Sequence, residues 1–363
     1  MRSRITQAWR RLTGRTGAAE RLDSIAPATW CLDHATMAGE RLRLTGWAIR
    51  ATDVPVSFAV NGRPCEHQRW TPRPDVAALY PFVPRQGDCG FEVEARLTDS
   101  ERDGAGVIKV DLVERGTGLP LREEQAFYVP RATAEPWPLP DAARRRRVHG
   151  TEDEQSFHIL GYSNRHKLEW ALRNATGAGF AGRVLDWGCG CGRLLRYCSD
   201  IGGASFTGAD VDPDNLQWCR SHLPMAAYEL IPLHPPTPFS DHAFDIVIGV
   251  SVFTHLTEPV QHEWLEELRR IVAPGGTVML TIHGPAVAAI SGRRVWDAVS
   301  RLGFVDHRSH DLDDMLDETE YYRTAFHSHE YVRRTWSRYF ELLAIVPASI
   351  GNMQDLVVLR ARR

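Results

Sequence analysis

RVLDWGCGCGR, residues 183–193, decides how this chain is read. Val184 and Leu185 belong to a buried strand that runs into Asp186, after which Gly188, Gly190 and Gly192 alternate with Cys189 and Cys191. Glycine accepts positive φ and carries no Cβ, so a turn of this kind brings backbone close to a ligand. A helix starting near Gly190–Arg193 is expected to aim its free N–H groups the same way. Several nucleotide-binding folds use such a turn, and spacing separates them. The dinucleotide fingerprint is GxGxxG, whereas this loop is GxGxG. Eighteen residues past Gly192, the segment FTGADVD ends the next strand and puts Asp210 where a carboxylate accepts both ribose hydroxyls.

Working outward, the segment after residue 150 alternates strand and helix, the pattern of a doubly wound parallel sheet. Strands are expected at Arg183–Trp187, Ser205–Asp210, Ala227–Ile231, Phe244–Val250 and Thr277–His283. Between them lie helices at His166–Thr176, Arg193–Asp200, Asp214–Leu223 and Pro259–Val272. A helix at His329–Tyr339 and two closing strands, Phe340–Val346 and Asp355–Arg360, complete a seven-stranded Rossmann-like α/β domain over 151–363. The stretch 285–325 exceeds what a crossover needs and reads as a cap insertion.

Residues 25–130 follow period two. RLRLTGWAI (41–49) alternates, VPVSFAV (54–60) places Val54, Val56, Phe58 and Val60 on one face, and Asn61-Gly62 marks a hairpin. With FEVEARL (91–97), VIKVDLV (107–113) and QAFYV (125–129), these segments predict a small all-β sandwich. Residues 131–150 carry prolines and then Arg144 to Arg147, and read as a linker with a solvated basic end. Residues 1–24 read as a basic leader or short helix, which as a helix offers a peripheral contact to an anionic membrane or to a glycan-assembly partner.

Several sequence blocks then carry a resemblance. PPTPF (235–239), FDIVIGVSVFTHL (244–256), ELRRIVAPGG (267–276), TIHG (281–284) and the ending HSHEYVRRTWSRYFELL…QDLVVL resemble the class I S-adenosylmethionine (SAM) dependent methyltransferases, in a bacterial subgroup. The resemblance implies cofactor contacts at Asp186, Gly188, Cys189, Gly190, Asp210, Val211, Ile231 and Ser251. It departs from the subgroup at Ile231-Pro232, a position often polar there, so adenine is expected to meet apolar packing and backbone. GWA (46–48), NG (61–62), RPDVAALYP (73–81) and GF (90–91) resemble a small β module of bacterial surface-polysaccharide assembly proteins, which implies a saccharide acceptor and a bacterial chain.

Methyl transfer to a hydroxyl calls for a base. His255 and His283 follow the fourth and fifth strands on the ligand side of the sheet, and His329 opens the HSHEY helix, so these three are the candidate bases. For each, a structural hydrogen bond is the competing role. Glu320, Tyr321 and Tyr322 in the insertion are candidate acceptor contacts. A small-metabolite O- or N-methyltransferase, or a glycan-binding scaffold without turnover, are the competing functions.

Composition narrows the partners. A net charge of −3 gives no expectation of nucleic acid binding, and no apolar run is long enough to span a bilayer. The seven cysteines are odd in number and lack zinc-ligand spacing, so they are expected as reduced thiols in a cytoplasmic, metal-free protein.

Overall fold

A computed structural model describes residues 17–25, 28–51, 53–84, 87–103, 107–122, 127–129, 137–308 and 321–362. The basic leader before residue 17, the prolines at 130–136 and Glu320 lie outside the described residues.

After a helix α1 (Gly17–Ser24), two four-stranded antiparallel sheets form. One runs β1 (Ala28–Ala38), β2 (Arg41–Arg50), β6 (Gly90–Arg96), β5 (His67–Thr71). The other runs β4 (Arg63–Pro64), β3 (Val56–Val60), β7 (Ile108–Glu114), β8 (Phe127–Val129). Two short helices, α2 (Pro74–Leu79) and α3 (Asp99–Asp103), sit in the connections. Alternation sends Leu42, Leu44, Phe91 and Val93 of one sheet against Phe58, Val60, Val110 and Leu112 of the other in one apolar cluster. Trp30 lies among them, 5.5 Å from Phe58 and 6.3 Å from Phe91 between ring centroids. The Asn61-Gly62 turn holds both residues at positive φ, 47° and 78°, as its hairpin requires. Sequence alternation did not reveal β1 or β5, whose outer halves are polar.

The second half begins with α4 (Ala142–His149) and the long α5 (Glu154–Thr176). Its seven-stranded sheet has the order β11-β10-β9-β12-β13-β17-β16. The strands are β9 (Gly182–Trp187), β10 (Ala204–Asp210), β11 (Ala226–Leu230), β12 (Phe244–Gly249), β13 (Val272–Ile282), β16 (Phe340–Ile350) and β17 (Gln354–Ala361). The first five pair in parallel, while β17 runs antiparallel to β13 and to β16, so the sheet is mixed. Helices α6 (Pro213–His222) and α7 (Glu258–Ile271) link the parallel strands, and each parallel strand ends on the same edge. Between β13 and β16 come α8 (Pro285–Ile290), α9 (Arg293–Leu302), the hairpin β14 (Phe304–Arg308) with β15 (Arg323–His327), and α10 (His329–Trp336).

Two expectations fail here. No α-helix follows the glycine loop; turns and one 3₁₀ turn at Leu195–Tyr197 take its place. Over this stretch Tyr197 N bonds the Leu194 carbonyl and Cys198 N the Leu195 carbonyl, the three-residue spacing of a 3₁₀ turn. The arginine run is likewise no solvated linker end. Asp141 caps α4 by accepting from Arg144 N, Gly150 closes it at φ 80°, and Arg145 is buried against the Glu152 carbonyl. Each arginine of the run has a carboxylate partner: Asp141, Glu154, Glu152 and Asp212 in order.

Helix α5 joins the two halves. Ile159 enters the apolar cluster of the N-terminal sheets, and Leu168 and Leu172 pack under the seven-stranded sheet. Buried Lys167 donates to the Ser349 carbonyl at 2.8 Å and to Asn352 Oδ1 at 2.6 Å, while Thr29 Oγ1 donates to the Asn352 carbonyl. Among the described residues, no helix is long and apolar enough to cross a membrane.

Candidate functional site

The carboxyl ends of β9, β10, β11 and β12 open into a cavity of about 1120 Å³, larger than the roughly 300–1,000 Å³ of a typical small-molecule site. Its wall includes Asp186, Gly188, Cys189, Gly190, Asp210, Val211, Ile231 and Ser251, so the fold brings together all eight cofactor residues expected from the sequence.

Four amides of the glycine loop are bonded within the protein. Gly188 N and Cys189 N both donate to the Ala209 carbonyl, Gly190 N donates to Asp210 Oδ2 at 2.7 Å, and Gly192 N returns to the Cys189 carbonyl. Of the N–H groups expected to face a ligand, those of Gly190 and Gly192 are thus engaged within the protein, one at the end of β10 and one inside the loop. The glycines are needed for close packing instead. A Cβ at Gly192 would come within 2.3 Å of Leu223 Cδ1, and one at Gly190 within 2.9 Å of Val148 Cγ2, on α4.

What the loop does offer is carboxylates. Asp186 is buried, and its Oδ2 has no hydrogen-bond partner among the described residues. Burial, then the charge of Asp210, pushes its carboxyl up to about 7. Asp210 accepts from Gly190 N on Oδ2 and from Asp212 N on Oδ1, and a carboxylate, with about four acceptor sites, retains capacity for a hydroxyl in the cavity. Burial raises its pKa too. Asp212 next door caps α6 through Asp214 N and Asn215 N, and pairs with Arg147 at 3.0 Å. Ser251, at φ 62°, sits in a left-handed conformation that its neighbours enforce. Its N–H donates to Thr281 Oγ1, and its hydroxyl is bonded to Gln354.

The other end of the cavity is aromatic. His255 lines it, stacked on Tyr322 at 4.2 Å between centroids and 14° between planes. His255 Nδ1 is 3.0 Å from the Arg323 carbonyl; a carbonyl only accepts, so Nδ1 carries the proton and the basic lone pair sits on Nε2. Tyr321 donates to the Leu233 carbonyl, and Trp264 Nε1 reaches both groups. Leu233, Leu256 and Trp264 complete this apolar wall.

The other two candidate bases are not in the wall. His283 lies behind His255, 6.3 Å away between ring centroids, and burial followed by the His255 charge lowers its pKa to about 3. Its backbone is committed to the bridge with Phe326, which draws the ring into the cap rather than the cavity. His329 pairs at 2.5 Å with buried Asp355, whose other oxygen accepts from Ala348 N, so it acts as a structural tie. Trp187 is packed between Phe253 and Trp264.

Sequence reasoning missed α4. Its residues Ala142, Ala143, Arg146, Arg147 and Val148 form a wall of the cavity opposite the strands, and Arg193 adds a guanidinium there. The signal was present: Asp141 and Gly150 are an N-cap and a left-handed C-terminal glycine at helix spacing. The groups of three or more side chains suited to holding a metal ion number none among the described residues.

Comparison with known proteins agrees with this geometry. Residues 184–276 match the family of methyltransferase domains. The fatty-acid O-methyltransferase of Mycolicibacterium smegmatis is 32% identical over 125 residues, covering 34% of this chain and 45% of that protein. The tRNA N(3)-cytidine methyltransferase METTL2 of Danio rerio is 22% identical over 156 residues, covering 39% and 43%. The chain thus spans less than half the length of these relatives. Among solved structures, the N-methyltransferase NodS from Bradyrhizobium japonicum superposes with a TM-score of 0.40 at 14% identity, covering 61% of this chain and 97% of that one. The chain carries a methyltransferase domain, and S-adenosylmethionine is its cofactor. The residues present fit that group. Asp210 has acceptor capacity for ribose hydroxyls, Ile231 and Val211 offer apolar faces for a flat base, and Asp186 brings an unpartnered buried oxygen for a cationic donor.

Proposed function

We propose that this protein is a SAM-dependent O-methyltransferase in which His255 removes the proton of an acceptor hydroxyl, and that the acceptor is a saccharide of a glycan-assembly process. One observation carries the reading: His255 shares a single cavity with Asp186 and Asp210 and holds its basic lone pair on Nε2.

Bound cofactor supplies an electrophilic methyl group on a sulfonium. Asp210 and Ile231 would hold the nucleoside, fixing the direction in which the methyl points. Nε2 of His255 takes the hydroxyl proton as the oxygen lone pair forms its bond to the methyl carbon, and the carbon–sulfur electron pair leaves with sulfur. The Arg323 carbonyl stabilises the imidazolium by keeping Nδ1–H engaged. Tyr321, Tyr322 and Trp264 suit the C–H face of a sugar ring, which stacks on aromatic planes. The resemblance of the N-terminal β region to polysaccharide-assembly modules supports the same acceptor class, a bacterial setting and action at the cytoplasmic side of a membrane.

The wall at Leu233, Leu256 and Trp264 also favours a second reading, an apolar small-molecule alcohol. An acceptor screen with methyl-labelled SAM across saccharides, lipidic and phenolic alcohols and amines separates the two. Label in an alkali-stable sugar ether is the expected result; label only in an apolar alcohol or an amine overturns the saccharide assignment, and no transfer to any class overturns the enzyme assignment.

A further inference from the structure

The turn that carries His255 is held from behind by a buried amide. Gln261, on the first turn of α7, directs its Nε2 at the Phe253 carbonyl at 3.0 Å and at the Leu256 carbonyl at 3.1 Å. These carbonyls bracket His255 and can only accept, so the amide nitrogen faces them and donates both its hydrogens. The amide oxygen then has to accept, and its partner is Nε2 of His327 at 2.9 Å. His327 is fully buried and therefore stands in the Nε2–H form, with Nδ1 unbonded among the described residues. Burial, then the charge of His283, lowers its pKa to about 3, and a neutral ring with Nε2–H is the donor this bond needs.

His327 ends β15, and its main-chain N–H donates to the His283 carbonyl at 2.8 Å, tying that strand to the end of β13. Arg323 begins the same strand, and its carbonyl takes the Nδ1–H of His255. The contacts form a closed circuit. His255 bonds Arg323, β15 leads from Arg323 to His327, His327 bonds Gln261, and Gln261 returns to the carbonyls on either side of His255. A cut between Gln261 and His327 frees the turn that donates and the strand that accepts from one another. The tautomer of a histidine is set by the bond that its other nitrogen makes, and an unconstrained imidazole favours Nε2–H. A base working through Nε2 thus depends on this circuit.

We propose that Gln261 and His327 are positioning residues for the base, holding the turn of His255 and the strand of Arg323 in the register that keeps the proton on Nδ1 and the lone pair on Nε2. The assignment rests on reading His255 as the base. It adds two residues that stand outside the cavity wall and act only through their bonds to its neighbours.

¹⁵N NMR of histidine-labelled protein in alkaline buffer, where imidazoles are neutral, reads the tautomers without an acceptor. Signals missing from His255→Ala and from His327→Gln assign the two rings. Wild type is expected to show His255 as Nδ1–H and His327 as Nε2–H. Gln261→Met removes both donors at similar length, and His327→Leu removes the bond to the amide. In each, His255 is expected to shift to predominantly Nε2–H, while calorimetric affinity for S-adenosylhomocysteine stays within about threefold of wild type. His327→Gln, which keeps an Nε2–H donor, is expected to restore the Nδ1–H form. A merely structural role would lower denaturant midpoints without moving the tautomer, so His255 still Nδ1–H in folded Gln261→Met and His327→Leu overturns the positioning. His327 found as Nδ1–H in wild type overturns it as well, even where a variant fails to fold. Loss of S-adenosylhomocysteine binding in step with the tautomer assigns the pair to the cofactor end and overturns the link to the base. His255 found as Nε2–H in wild type overturns the base itself, and the positioning with it.

Discussion

The two ends of the cavity are built by different means. At the end assigned to the cofactor, the carboxyl edges of β9 and β10 are laced by main-chain bonds from Gly188 and Cys189 to the Ala209 carbonyl and by Gly190 N on the Asp210 carboxylate. Main-chain groups at the ends of adjacent strands fix most of that end. At the end assigned to the acceptor, His255, Tyr321, Tyr322 and Trp264 come from a short turn, a cap insertion and a helix, and their rings are placed by bonds and stacking between separate elements. The first end is suited to one invariant ligand and the second to change by substitution. Variants at the acceptor end should therefore spare cofactor binding, while variants in the loop should damage fold and cofactor together.

The largest effect expected is at His255. His255→Ala should lower the transfer rate about 10²–10⁴-fold, the usual contribution of a general base, with S-adenosylhomocysteine affinity unchanged by calorimetry. A loss of binding instead would make His255 part of the cofactor end and erase the contrast.

Gly192→Ala probes the other side. At φ 72°, with Leu223 Cδ1 only 2.3 Å from the added Cβ, the cost is about 2–4 kcal/mol of stability. Denaturant midpoints should fall, and cofactor affinity with them; a neutral result would mean the loop tolerates side chains and is not set by packing.

A smaller and graded effect belongs to Asp186. In the ligand-free protein its carboxyl ionises near pH 7, against about 4 when unfolded. The folded state thus holds an extra proton between those values, and its stability falls as pH rises through that window. The ammonium of the cofactor requires the ionised form, so affinity for S-adenosylhomocysteine should weaken as pH drops below 7, approaching tenfold per unit. Calorimetry in buffers of different ionisation enthalpy should register proton release on binding near pH 6, and Asp186→Asn should remove the slope.

The smallest change is expected from Tyr322→Leu. Loss of the stacked ring against His255 should slow transfer about two- to tenfold, in line with the worth of an aromatic pair, and leave cofactor affinity as it was.

The same contrast explains what the sequence made legible. Glycines at 188, 190 and 192 and a carboxylate eighteen residues on are demanded by backbone geometry, and geometry of that kind leaves a local signature. The parallel strands emerged for the same reason, as did the hairpin at Asn61-Gly62. Reading a helix after the loop erred because the segment closes on three-residue bonds, Tyr197 N to Leu194 and Cys198 N to Leu195, and stops after one 3₁₀ turn. His255 and His283 looked alike because each follows a strand, and His329 joined them because it opens a helix. Only tertiary contacts separate them: a cavity wall and a carbonyl for His255, the cap for His283, Asp355 for His329. Helix α4 was legible in its caps and was masked by a run of arginines whose partners, Glu152, Glu154 and Asp212 among them, appear only once the chain has folded.

In the proposed reaction one cavity aligns cofactor and base. A cocrystal structure with S-adenosylhomocysteine tests it most directly. Ribose hydroxyls are expected on Asp210, the base against Ile231, and the sulfur facing Nε2 of His255 across a gap that an acceptor oxygen fills. A cofactor seated elsewhere, or a sulfur turned away from His255, would contradict it.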